Sequence, residues 1–240
     1  ANMLTNSILT VLSIAMLIKD DSISFSFKTI SDKFFFTEWI KVGFFEGVQI
    51  FLDNYIYAVM VCKMVNEVQQ QGNYWIANNF IYGWLLIPAI ALGEIIKRDC
   101  KDGYKGLNKK AYKKVILGTI IVWLISIPFW NLIFSKLMAV ENTSDIFHIV
   151  ICLLPFYIAY LGTVYIDNIF YGLGKTQYTM SISVIVNIIY YGIVYIMFKN
   201  GIFTPSINFI ILMFGCGIVV HLIIAICLKK IFLDLKSEKI

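Results

Sequence analysis

Six apolar stretches, at residues 42–65, 74–96, 115–137, 146–171, 178–198 and 207–228, leave this chain few ways to fold. Each is long enough to cross a hydrocarbon core of about 30 Å as a helix, and a helix satisfies its own backbone hydrogen bonds where lipid offers none. An all-α, polytopic integral membrane protein is therefore expected. Composition agrees, since 59% of residues are hydrophobic, 15% are charged and mean hydropathy is +0.78, values foreign to a soluble domain. Residues 1–18 are apolar but short, without the basic region or cleavage site of a signal peptide, and read as the end of a preceding transmembrane helix. Residues 19–41 mix charge with Phe and Trp, as a linker along a membrane interface does. The six spans then form one lobe over 42–228, followed by a basic tail at 229–240.

The net charge of +5 could suit nucleic acid, but its distribution argues for topology instead. Seventeen of the twenty basic residues fall on one side: the linker, the loop 97–114, Lys175 and the tail. Only Lys63, Lys136 and Lys199 fall on the other. Because short cytoplasmic loops collect Lys and Arg, the basic side is expected to be cytoplasmic, with the C-terminus inside and the protein multi-pass in the plasma membrane. Membrane lipids are then its surroundings, and no nucleic-acid partner is expected.

The first span carries the chemistry. Positions 46, 49, 53, 57 and 60 share one helix face, reading Glu46, Gln49, Asp53, Tyr57 and Met60. Asp53 falls about 18 Å beyond Lys41, near the middle of the hydrocarbon, where an unpaired charge costs at least ~2.5 kcal/mol. Such a stripe should face protein or a water-filled cavity. A carboxylate there can take up a proton, or bind Na+ with Gln49, Asn54 and a backbone carbonyl as further oxygens. The bland alternative is an acid held by Asn187 or a tyrosine of another span, serving only helix packing. Glu94 and Asp167, near span ends, read as interfacial acids that reach water or loop lysines. His221 reads as a hydrogen-bonded packing residue in preference to a proton relay, and Asn187 as either interhelical glue or cavity lining. Pro88, Pro128 and Pro155 fall within spans and are candidate kinks. The Gly172–Gly174 turn before Lys175 and Thr176 is too short for a phosphate loop.

Five cysteines at 62, 100, 152, 216 and 227 lack ligand spacing, and the histidines at 148 and 221 are far apart. No metal site is expected beyond a possible Na+ at Glu46 and Asp53, and no cofactor. No Walker loop, H-E-x-x-H or G-x-S-x-G occurs, so nothing in the chain supports ATP-driven transport or hydrolysis, and it is not expected to be an enzyme.

The stretch GFFEGVQIFLDNYIYAVMV (43–61) is similar to the seventh helix of the multidrug and toxic compound extrusion (MATE) family, where an acid follows paired aromatics. The stretch IFYGLGKTQYTMSISVIVNIIYYGIVYIM (169–197) resembles that family's Gly-bearing loop between two helices, and the layout of cut helix, linker, six spans and basic tail is also similar. The resemblance implies twelve helices in two lobes around a central cavity that opens alternately inward and outward. This chain would be the C-terminal lobe, partnered by an N-terminal lobe of the same protein, with 19–41 as the interlobe linker. Glu46 matches the seventh-helix acid of Na+-coupled members. In the tenth helix such members often carry an Asp about three turns before the Gly-bearing loop; that place in this chain is near Tyr160, and the acids available are Asp53 and Asp167. The implied function is a secondary active Na+ or H+ antiporter exporting an organic, cationic or amphipathic small molecule. Tyr57, Tyr160, Asp167 and Asn187 would line its cavity. A lipid-linked saccharide or lipid flippase of the same superfamily is the alternative within transport, and a non-transporting scaffold the alternative outside it.

Overall fold

The computed structural model describes residues 2–19 and 33–234, and every regular element among them is helical. By contact the chain divides into two units, Ala1–Gly43 and Phe44–Ile240. In the first, α1 spans Asn2–Lys19, including a short apolar helical stretch at Ser7–Met16. The linker expectation for 19–41 falls largely outside the described residues, since 20–32 are not described and Lys33 already begins a helix.

That helix, α2, runs over Lys33–Ile56 and continues through a π-helical turn, Tyr57–Cys62, into Lys63–Glu67. Then follow α3 (Gln71–Leu85), α4 (Ile87–Asp99), α5 (Lys109–Leu137), α6 (Thr143–Gly172), α7 (Thr176–Lys199) and α8 (Ile207–Leu233). Five helices are long and apolar enough to cross a membrane: Trp39–Glu67 of α2, and α5 to α8. Six unbroken spans are not found. The apolar stretch placed at 74–96 is two helices, α3 and α4, bent by 49° at Leu86.

The bend has a local cause. Pro88 sits in the first turn of α4 and has no N–H to return to the preceding turn, so the ladder cannot run through. Leu86 instead donates its N–H to the Ile81 carbonyl at 2.9 Å, closing a π-helical turn over Ile81–Leu85. The Leu85 carbonyl accepts a bond from the Trp123 indole N–H of α5 at 2.9 Å. Of the three intramembrane prolines only this one coincides with such a break. Pro128 and Pro155, the other candidate kinks, lie inside the continuous helices α5 and α6.

Turn chemistry follows the residues. Asn108 accepts from the Ala111 N–H at 3.1 Å and starts α5, and Ser206 accepts from the Phe209 N–H at 3.2 Å and starts α8. Gly174 takes φ +66° in the expected turn between α6 and α7, a conformation that favours glycine.

Helix α6 is the centre of the second unit, half of its most apolar window being buried. It packs most extensively on α8, where Gly215 leaves room for the Phe156 ring. On α5 the residues Leu117, Val122, Ile125, Phe129 and Leu132 are exposed, as a lipid-facing helix requires.

Candidate ion and substrate cavity

The stripe on α2 meets α6, α7 and α8 around a cavity of about 540 Å3. Gln49, Asp53, Asn54 and Tyr57 line it from α2, and Tyr160, Thr163, Asp167, Asn168 and Tyr171 from α6. Asn187 and Tyr191 come from α7, and Phe214 and His221 from α8. The π-helical segments Tyr57–Cys62 and Ile185–Tyr191 both contribute to its wall. Such wide turns shift side chains off the regular 3.6-residue pattern and are frequent at functional sites.

Asp53 is bound across helices. Its Oδ1 accepts from the Ser183 hydroxyl at 2.7 Å and from Asn187 Nδ2 at 2.6 Å, and Asn187 Nδ2 also lies 2.9 Å from Ser183 Oγ. Ser183 and Asn187 are four residues apart on α7, so one face supplies both donors. Both are buried, which makes these bonds costly to lose. One turn earlier on α2, buried Gln49 accepts at Oε1 from the Tyr171 hydroxyl at 2.8 Å.

A second polar pair stands on α6 and α8. His221 donates from Nε2 to Asp167 Oδ2 at 2.8 Å, and both side chains are mostly buried. Asp167 Oδ1 is buried with no hydrogen-bond partner among the described residues. Asp167 is thus held by His221 and not by a loop lysine, and His221 is hydrogen-bonded, as expected of it. Glu94, by contrast, does meet a loop-side base, with Lys97 Nζ at 2.7 Å on the exposed end of α4.

The expected site residues thus divide. Asp53, Gln49, Asn54, Tyr57, Tyr160, Asp167 and Asn187 all line one cavity. Glu46 does not, although it shares the helix face. It is half-buried one turn before Gln49, outside the cavity's lining. Asn54 spends its amide on the Ile50 carbonyl of its own helix at 2.8 Å. Two participants were missed in the sequence: Ser183, whose signal was only its four-residue spacing from Asn187, and His221, whose partner lies 54 residues away.

No lysine or arginine among the described residues lines the cavity, which presents two acids, one imidazole, several amides and five tyrosine rings. Among the described residues no group of three or more His, Cys, Asp or Glu could hold a metal ion. In comparisons with family models, curated proteins and solved structures, nothing matches this chain.

Proposed function

We propose that this chain forms part of a secondary active exporter that exchanges a cation, Na+ or H+, for an organic cationic or amphipathic compound by alternating access. The observation that carries the reading is a carboxylate, Asp53, on the wall of a polar cavity among apolar helices, with no basic side chain from lysine or arginine beside it. Acids in such a place are expensive and mark ion or substrate paths. The tyrosine rings offer faces for a cation or an apolar ring. Cation binding at the cavity would bias one access state over the other, which is what exchange requires.

The test is uptake of ethidium into proteoliposomes under an imposed Na+ or pH gradient. Asp53→Asn should abolish gradient-driven movement, while Glu46→Gln, outside the cavity lining, should reduce it far less. If both variants transport like the parent, the reading is abandoned. If Asp53→Asn only lowers the melting temperature and leaves coupling intact, the acid is a packing residue.

One observation favours a second reading. Gln49, Asn54, Asn78, Asn168 and Asn187 place five amides on the wall, and amides beside aromatic rings suit sugar hydroxyls. A lipid-linked saccharide flippase would bind such a headgroup without any cation gradient, and the same liposomes loaded with a fluorescent lipid-linked sugar would show it.

A further inference from the structure

Asp53 and Asp167 stand in the same cavity but in opposite conditions. Asp53 Oδ1 already receives two donors, from Ser183 and Asn187. The Asp167 carboxylate receives one, from His221, and its other oxygen is buried and unpartnered. His221 in turn uses only Nε2, and no partner is found for Nδ1 among the described residues. An imidazole anchored to a carboxylate by one nitrogen, with the other free in a polar cavity, is built to take up and release a proton.

We infer that the coupling ion of this cavity is the proton and that its carrier is the Asp167–His221 pair. This rests on the exporter reading above. A proton from cavity water binds Nδ1, making an imidazolium that faces the carboxylate through Nε2, and leaves from Nδ1 to water. Uptake adds one positive charge to a wall with no lysine or arginine, so a cationic substrate and the proton compete through charge and not through a shared contact. That competition is the condition for exchange.

The groups facing His221 are few. Helix α6 offers Asp167, Tyr160 and Tyr171, α7 offers Tyr191, α3 offers Tyr82, and α2 offers Asp53 and Tyr57 across the cavity. The Tyr191 hydroxyl is engaged with the Phe214 carbonyl at 3.3 Å, and the Tyr171 hydroxyl with Gln49. Lys63, the nearest base along α2, lies over the Phe198 ring and not on the cavity wall. Asp167 is therefore the partner with direct hold on the imidazole.

The chain has two histidines, so 15N-histidine NMR of the purified protein resolves the question directly. His148, held by Asn208 at 2.8 Å outside the cavity, is assigned by its loss in His148→Asn. His221 is expected to titrate with pH, to be unmoved by added NaCl, and to lose about tenfold or more in proton affinity in Asp167→Asn. A His221 signal that never titrates, that is displaced by Na+, or that titrates unchanged in Asp167→Asn overturns the inference. In liposomes, a pH gradient should drive ethidium through the parent and not through His221→Gln, while both remain monodisperse. Drive by Na+ alone would sink the proton carrier and leave the exporter standing. No movement of ethidium under either gradient would instead sink the exporter reading, and the NMR titration would still decide the proton site.

Discussion

Asp53 Oδ1 has two donors, and they differ in what they give. Asn187 Nδ2 donates to both Asp53 and Ser183, whereas the Ser183 hydroxyl donates only to Asp53. Ser183→Ala, which removes one donated bond, should cost about 0.5–1 kcal/mol, and Asn187→Leu, which removes two and leaves the acid with Ser183 alone, about 1–3 kcal/mol. Thermal unfolding in detergent checks the order, and equal effects would mean that the two donors do not form a bridged set. A second residue-scale prediction concerns Cys100, outside the spans, whose thiol is pushed up by burial and, secondarily, by the Asp99 carboxylate. Since the thiolate is the nucleophile, a Cys100-only variant should react slowly with maleimide at neutral pH and faster as pH rises.

Two elements depend on close approach. Gly172 ends α6 where it crosses the end of α4, and an added Cβ would stand 2.7 Å from both the Lys97 carbonyl oxygen and Cys100 Cβ. Backbone cannot rotate away, so Gly172→Ala should destabilise by about 1–3 kcal/mol and speed Cys100 labelling as the helices part. The break between α3 and α4 depends on Pro88 together with Trp123. Trp123→Phe keeps an aromatic ring and removes the indole N–H that reaches the Leu85 carbonyl at the bend, so a loss of about 1–2 kcal/mol is expected. Proline alone does not break a helix: Pro155 has the same covalent restriction, yet α6 continues through it.

For the molecule as a whole, the basic loop between α4 and α5 and the acidic turn between α5 and α6 lie at opposite ends of α5. We propose from the charge bias that the first is cytoplasmic. A cysteine at Lys105 should therefore resist a membrane-impermeant maleimide in intact cells, and one at Glu141 should react. Reversed labelling would invert the topology and reassign which face of the cavity meets the cytoplasm.

The sequence by itself determined what repeats locally. Apolar runs too long for anything but helices, basic residues gathered in alternate loops, and the 3.6-residue period that put Gln49, Asp53 and Tyr57 on one face were all legible, because each is a property of one segment and its solvent. Glu46 shares that face without lining the cavity, since a helix face extends along the whole helix but a cavity touches only part of it. What only the tertiary structure decided was pairing. Ser183 and Asn187 reach Asp53 across 130 and 134 residues, and His221 reaches Asp167 across 54. No periodicity encodes which polar group of one helix meets which of another. That follows from how α6 seats against α8 and where π-helical turns re-aim the walls, and so do the bend at Leu86 and the partition of the two acids into one with two donors and one with an open oxygen.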